Sequence, residues 1–117
     1  MRYLVLLYAD ESGFAKLSPE EMKSALASFA KYNEQLAKAG VLVHGEQLKP
    51  SAQAKSLRMK DGKVATTDGP FTESKEQLGG YYVLDVRDER EALDWARRCP
   101  IIYSGTVEVR ELIPRPE

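Results

Sequence analysis

The sequence predicts a ferredoxin-like α+β fold, βαββαβ with an inserted β-hairpin, over a single domain at residues 1–117. Two observations support this prediction. The predicted elements follow the order β-α-β, hairpin, loop, β-α-β, which is two similar halves. The two most apolar predicted strands, Tyr3–Tyr8 and Tyr81–Val86, are the first and third main strands, which lie at the centre of the sheet in that fold. A chain of 117 residues is long enough for one hydrophobic core.

The first half is predicted as strand, helix and strand. Tyr3–Tyr8 is a continuous apolar run, typical of a strand that is buried on both faces. Ser18–Glu21 begins a helix with a capping box and with proline at the first helical position. Gly40 is expected to end this helix, and Val41–Leu48 is the second strand. The side chains expected to form the apolar stripe of the helix are Met22, Ala25, Leu26, Phe29, Leu36 and Ala37.

The second half repeats this order. After the strand Tyr81–Val86, Asp88–Glu91 is a second capping box, and the helix that it begins is expected to end at Cys99-Pro100. Thr106–Leu112 alternates strictly between polar and apolar residues, which predicts a half-exposed strand at a sheet edge.

A hairpin and a polar loop separate the two halves. Ala54–Lys60 and Lys63–Thr67 flank Asp61-Gly62, a two-residue turn signal that requires positive φ. The following stretch, Thr67–Gly80, combines carboxylates, glycines and a proline. Within it, Thr72–Gln77 is predicted to form one or two helical turns, with Thr72 as the N-cap.

The apolar central strands predict a subunit interface. Both helices must cover the same face of the sheet, yet the first strand is apolar on both faces. One of two alternating sets is therefore left against water, which is rare in a soluble monomer. We expect a second subunit to cover this open face and form a homodimer; the alternative is that the hairpin and the loop cover it. The two sets are Leu4, Leu6 and Tyr8, and Tyr3, Val5 and Leu7.

Composition excludes several classes of partner. The net charge of −1 provides no basic surface for nucleic acid or for an anionic membrane. The single cysteine, Cys99, excludes an internal disulfide framework and suits a reducing compartment. The apolar run near the N-terminus is too short for a signal peptide or a membrane span. We therefore expect a cytoplasmic protein.

Asp68-Gly69-Pro70-Phe71 is the first candidate for a functional site. An aspartate in a turn usually accepts a hydrogen bond from the N–H two residues on, and Pro70 has none. Asp68 must find another donor, so the segment predicts a rigid corner that displays a carboxylate. In one interpretation Asp68 is a general base; in the other it accepts from Phe71 or Thr72 and only shapes the loop.

Further candidates lie in the same loop and on the strands. Glu73 and Glu76 are three residues apart and would share a face of a helical turn, while Lys75 projects elsewhere. The run is either part of the site, with Lys75 as a charge stabiliser, or a solvated charged turn. His44 and Glu46 share one face of the second strand, either as an acid–base pair or as an exposed edge pair. No spacing of histidine and cysteine indicates a metal site, and no cofactor is predicted. The ligand-binding candidates are Tyr8, Glu46, Phe71, Glu73, Lys75, Glu76 and Tyr82.

The sequence resembles the YCII-related family, specifically its DGPF-domain branch. The resemblance is carried by MRYLVLLYADE, AGVLVHGEQL, TDGPFTESKEQLGGYYVLDV, ALDWARRCP and VEVRE, over Met1 to Leu112. It implies ferredoxin-like subunits that dimerise into an α/β barrel with a cleft. It also implies an association with extracytoplasmic-function sigma factors.

The resemblance leaves the activity open. Some members of the family are described with a histidine–aspartate pair in the cleft, and one is a dehydrochlorinase that acts on an aromatic ring. The helix position of that histidine corresponds to Ser28 or a close neighbour here, whereas the only histidine, His44, lies on the second strand. Two hypotheses follow: a small-molecule pocket in the dimer cleft, enzymatic or not, and a non-enzymatic accessory protein that binds a sigma factor.

Overall fold

The computed structural model describes residues 1–116, which form helices packed on antiparallel sheets. Two short 3₁₀ turns, Ser51–Gln53 and Pro100–Tyr103, join longer elements. No helix in this range is long and apolar enough to cross a membrane. The elements in chain order are β1 (Arg2–Ala9), α1 (Glu11–Ala15), α2 (Pro19–Lys38), β2 (Leu42–Gln47), β3 (Lys55–Lys60), β4 (Lys63–Asp68), β5 (Gln77–Asp85), α3 (Glu89–Arg97) and β6 (Gly105–Glu111).

The main sheet has four antiparallel strands in the order β2-β5-β1-β6. The prediction that the two most apolar strands lie at the centre is therefore confirmed. Leu6 pairs with Tyr81 of β5 on one side and with Glu108 of β6 on the other. An irregularity in β5 places Leu78 opposite Tyr8. Such a bulge increases the local twist of the sheet.

The core lies between one face of the sheet and the helices α2 and α3. Its strand residues are the alternating buried set of β1 together with Tyr82 and Leu84 of β5. From α2, Tyr32 packs edge-to-face on Tyr82 with 5.6 Å between the ring centroids. The Tyr32 hydroxyl donates to the carbonyl oxygen of Trp95 at 2.8 Å, which links α2 to α3.

The apolar stripe of α2 is only partly as predicted. Leu36 is fully buried and Phe29 packs against the core, but Leu26 is 61% exposed. Tyr32, which was not predicted as a stripe residue, is buried instead. The helix reaches the sheet only in its C-terminal half, so apolar residues near its start remain in contact with solvent.

The predicted helix ends are mostly confirmed. Ser18 and Glu21 form the complete capping box, and Gly40 follows the helix with φ +73°. At α3, Asp88 accepts from the backbone N–H of Glu91 as expected. The Glu91 carboxylate does not complete the second box, because it accepts from the backbone N–H and the guanidinium of Arg87 instead.

The insertion differs more from the prediction. β3 and β4 form a separate two-stranded sheet, and their turn has the expected positive φ at Asp61 (+50°) and Gly62 (+80°). The helical turns predicted at Thr72–Gln77 do not form. Gln77 begins β5 and pairs with Ala9, and its side chain accepts from the N–H of Glu11 at 2.9 Å. These long-range contacts replace the local helical bonds.

Buried acids in this core predict a loss of stability at alkaline pH. Burial raises the pKa of Cys99 from 9.0 to about 11, and burial together with the nearby Cys99 raises that of Tyr82 from 10.0 to about 12. Each raised pKa means that the unfolded chain loses its proton first. The contribution of these groups to the free energy of unfolding is thus fully present below pH 9. Above that pH the free energy of unfolding falls, by about 1.4 kcal/mol per pH unit for each group that is ionised only in the unfolded chain.

Urea unfolding at pH 8 and at about pH 11 measures this effect. We expect a clearly lower midpoint at the higher pH, with a smaller difference in Cys99→Ala. A midpoint that does not change between the two pH values would contradict the assignment of Cys99 and Tyr82 to a neutral core.

Candidate functional site

The face of the sheet opposite the helices has an apolar centre and polar edges. Leu4, Leu6 and Tyr8 of β1 lie on this open face and are each half-buried. Tyr81 and Val83 pair with β1 and belong to the same face. On the edge strands, the polar residues of this face are His44 and Glu46 on β2 and Thr106, Glu108 and Arg110 on β6.

A cavity of about 420 Å³ lies at one end of the open face, beneath the loop between β4 and β5. Its floor includes Tyr8, and its loop wall includes Glu76. Of the residues predicted for the site, the structure brings these two together. The lining residues that matter for chemistry are Tyr8, Lys49, Thr72, Ser74, Glu76 and Gln77.

Hydrogen bonds to β6 define the polar edge of this cavity. The Tyr8 hydroxyl donates to the Glu108 carboxylate at 3.2 Å, and the Thr106 hydroxyl donates to the Glu76 carboxylate at 2.6 Å. Burial, followed by the charge of Glu108, raises the pKa of Tyr8 above its ordinary value. The phenol therefore keeps its proton at neutral pH and donates it to Glu108, so the site offers the phenol oxygen and two carboxylates as hydrogen-bond acceptors.

The loop above the cavity is fixed at its start by the hairpin. Gly69 has φ +99°, which glycine adopts without strain. Its N–H donates to the carbonyl of Ala54 at 2.7 Å, and its carbonyl accepts from the Ser56 hydroxyl at 2.8 Å. Nearby, the Glu11 carboxylate accepts from the N–H and the hydroxyl of Ser51, so the first helix holds the segment that leads to β3.

Asp68 does not line this cavity. It ends β4, its side chain is 82% exposed, and its carboxylate forms an ion pair with Lys55, the residue opposite on β3. The interpretation that Asp68 accepts from Phe71 or Thr72 is thus wrong, because the cross-strand lysine supplies the donor. Phe71 is 71% exposed and lies beneath the Arg58 guanidinium, with 5.1 Å from Cζ to the ring centroid.

The other predicted site residues are dispersed. Glu73 and Lys75 are exposed in the loop. His44 and Glu46 share the open face as predicted, and the His44 ring lies 5.6 Å from that of Tyr81. The prediction that Tyr82 binds a ligand is wrong. Its side chain faces the helices, is 8% exposed and donates from its hydroxyl to Asn33. Neighbouring strand residues point to opposite faces, so only one of the two adjacent tyrosines can reach the open face.

Sequence reasoning missed Glu108 and Thr106. The strict alternation of the last strand places Thr106, Glu108 and Arg110 on one face, and this signal was present in the sequence. Their meeting with Tyr8 and Glu76 depends on the register of β6 against β1, in which Thr106 pairs with Tyr8.

A second cavity, of about 460 Å³, lies on the opposite side of the sheet between α1, the first half of α2 and the 3₁₀ turn Pro100–Tyr103. Ser28 lies in its wall, with Phe14 and Phe29 as aromatic neighbours. The acids at its edge, Asp10 and Glu21, serve as helix caps. No histidine lines this cavity among residues 1–116.

Comparisons with known proteins agree on the family. The YCII-related domain matches residues 1–115. An uncharacterised protein, R00369 of Rhizobium meliloti (strain 1021), is 38% identical over 114 residues, which are 96% of this chain and 92% of the relative. A solved structure with a similar fold is 5-chloro-2-hydroxyhydroquinone dehydrochlorinase (TftG) of Burkholderia phenoliruptrix AC1100 in complex with 2,5-dihydroxybenzoquinone. It has a TM-score of 0.56 and 13% identity over 97% of this chain and 94% of that one.

Proposed function

Because the chain belongs to the YCII-related family, we propose that it is a cytoplasmic homodimer with a small-molecule site in the cleft between ferredoxin-like subunits. The strand order, with the first and third main strands at the centre, supports the ferredoxin-like assignment. In this proposal the open faces of two sheets pack together, as in a dimeric α/β barrel, and the cavity beside Tyr8 becomes part of the enclosed cleft.

The shape of the subunit supports the dimer. The chain has an accessible surface of 8942 Å², whereas a compact monomer of this length exposes about 6,400 Å². Its radius of gyration is 16.4 Å, compared with about 13 Å for a compact domain. The subunit measures 49 × 48 × 17 Å, so it is a thin layer of helices on one sheet. A second layer against the open face would remove part of the excess surface from water.

The observation that carries the ligand proposal is the Tyr8–Glu108 hydrogen bond at the edge of the cavity. The single phenol proton of Tyr8 is donated to Glu108, so the phenol oxygen and the carboxylate can both accept hydrogen bonds, which suits a ligand that bears hydroxyl groups. The fold neighbour binds a dihydroxybenzoquinone, which is a ligand of this kind. We therefore propose small, oxygen-substituted ring compounds as the ligand class, with Tyr8 and Glu108 as acceptors for the hydroxyl groups of the ligand.

Catalysis by Asp68 or His44 stays a prediction within this proposal. Both side chains lie outside the cavity of a single subunit, and Asp68 is ion-paired with Lys55. A general-base role for either residue requires that the second subunit complete the cleft around it. The same condition applies to Glu46, Phe71, Glu73 and Lys75 as ligand-binding residues.

A thermal-shift screen against phenols, quinones and hydroxy acids tests the ligand proposal. We expect some members of the set to raise the Tm of the wild type and of Tyr103→Phe, and to lose this effect in Tyr8→Phe. Tyr103 is the matched control because it is 92% exposed and lines the other cavity. Ligand shifts that survive in Tyr8→Phe but disappear in Tyr103→Phe would assign binding to the second cavity and contradict the proposal.

An accessory protein associated with an extracytoplasmic-function sigma factor is the second candidate function. The observation that favours this function is that Asp68 and Phe71 are exposed at a corner of the loop and do not line the cavity beside Tyr8. This function predicts that no compound in the screen raises the Tm. It also predicts direct binding of the sigma factor that weakens in Phe71→Ala.

A further inference from the structure

The β3–β4 hairpin has an apolar face that is exposed to solvent. In its register, Leu57 pairs with Thr66 and Met59 pairs with Val64, so the three large apolar side chains lie on the same face. They are 62%, 69% and 60% exposed for Leu57, Met59 and Val64, respectively. We call these three residues the hairpin face.

The opposite face of the hairpin is the one that contacts the rest of the subunit. There the Ser56 hydroxyl donates to the carbonyl of Gly69, and Arg58 lies over the ring of Phe71. Ala65 on this side is half-buried. The more polar face thus packs against the loop, while the more apolar face is left open. Burial of apolar surface would favour the opposite arrangement, with the apolar face packed and the polar face exposed.

A two-stranded hairpin is at best marginally stable in water without a further packing partner. β3 and β4 pair only with each other, and the described chain supplies no strand or helix that covers Leu57, Met59 and Val64. Cover of the hairpin face by a partner from outside the subunit would therefore stabilise the hairpin.

We propose that the hairpin face packs against a second copy of this chain and is part of the subunit interface. This inference rests on the homodimer of the proposed function and adds a second contact region to the open sheet face. The subunit exposes about 2,500 Å² more than a compact monomer, whereas a standard interface buries about 800 Å² per partner. One standard patch would leave part of this excess exposed, so the comparison leaves room for a second contact region such as the hairpin face.

Charge supports a second copy as the occupant. Residues 55–68 contain four basic and two acidic residues, while the chain as a whole has a net charge of −1. The remainder of each subunit is therefore acidic, and it includes Glu46 and Glu108 on the open face. Arg58, Lys60 and Lys63 lie on the other side of the hairpin in this register, so their charge favours association with an acidic partner at long range. On the side of the hairpin face, Lys55 and Asp68 neutralise each other, so the face carries no uncompensated charge into the contact.

The contact has a consequence for the site. β4 continues directly into the loop above the cavity, and Arg58 on the hairpin contacts Phe71 in that loop. Packing of the hairpin on the partner would therefore hold the loop of its own subunit in place, so that dimerisation and ligand binding are coupled.

Sedimentation equilibrium of Leu57→Ser/Met59→Ser, with Thr67→Ala as the control on the other hairpin face, tests the inference. The wild type and the control are expected to be dimers, and the double variant is expected to have a dimer Kd raised by about tenfold or more. Val64→Thr keeps the branched shape and the β-propensity of valine, and it is also expected to raise the dimer Kd. This second variant keeps the test valid if the serine variant misfolds.

Amide hydrogen exchange separates the two levels of the proposal. In the wild type, exchange in β3 and β4 is expected to slow as the protein concentration is raised through the dimer Kd. A monomeric wild type would overturn both the homodimer and the hairpin contact. A dimeric wild type in which both hairpin variants keep the same Kd, and in which exchange in β3 and β4 does not depend on concentration, would overturn the hairpin contact alone.

Discussion

Leu6→Glu is expected to leave the protein monomeric at micromolar concentrations at which we expect the wild type to be a dimer. Leu6 lies at the centre of the open face, between Tyr81 and Glu108 on the neighbouring strands. In the proposed homodimer the second subunit would bury a carboxylate there, and Glu108 on the neighbouring strand would repel it. In the monomer the side chain is only half-buried, so the fold can tolerate the change.

Sedimentation velocity over a range of concentrations measures this effect. Leu26→Glu is the control, since Leu26 is also a large exposed apolar residue but lies on α2, away from the open face. The control should sediment like the wild type. If Leu6→Glu still forms a dimer of unchanged affinity, then the open face is not the interface.

Gly105→Ala is expected to lower the free energy of unfolding by about 3 kcal/mol or more. A Cβ at Gly105 would lie 2.0 Å from the carbonyl oxygen of Tyr8, which is a backbone atom and cannot rotate away. Gly105 begins β6 and pairs with Ala9, so relief of the clash must separate β6 from β1 at this end. The same movement would displace Thr106 from Glu76 and open the cavity.

Gly13→Ala is the matched substitution for this prediction. Gly13 lies inside α1, and no atom within 4 Å would meet an added Cβ. Alanine should stabilise the protein by about 0.5–1 kcal/mol there, because it restricts the unfolded chain and favours the helix. Thermal unfolding of both variants compares the two effects, and equal losses of stability at Gly105 and Gly13 would contradict the steric explanation.

The order of the main strands could be predicted because each strand has a strong local pattern. The apolar runs Tyr3–Tyr8 and Tyr81–Val86 lie at the centre of the sheet, where a neighbouring strand on each side shields their side chains better than an edge position would. The start of β5 could not be predicted in the same way. Residues 77–80 are one glutamine, one leucine and two glycines, and they enter the sheet because β1 and β2 both lie alongside them.

The partner of Asp68 was available in the sequence but not in its local motif. Pro70 has no backbone N–H to donate to Asp68, and Lys55 on the opposite strand of the hairpin supplies the donor in its place. Once Asp61-Gly62 is placed at the turn, Lys60 pairs with Lys63, and five residues further out on both strands Lys55 pairs with Asp68. The register of the hairpin therefore predicts this ion pair better than the chemistry of the turn does.

The polar edge of the cavity depends on contacts between distant parts of the chain. Tyr8 and Glu108 are separated by one hundred positions, and only the pairing of β1 with β6 brings them together. Periodicity identifies which residues share a face within one strand. Periodicity does not fix the register of one strand against another, and the polar edge of the cavity depends on that register.

The anchors of the loop between β4 and β5 also limit the entropic cost of ligand binding. Gly69 is hydrogen-bonded to Ala54 and Ser56 at one end of the loop, and Glu76 is hydrogen-bonded to Thr106 at the other. Ordering a residue costs about 1–2 kcal/mol of backbone entropy, and in this loop the end residues have already lost that freedom during folding. A ligand in the cavity has only the short middle of the loop left to order, so most of its contact energy remains available as affinity.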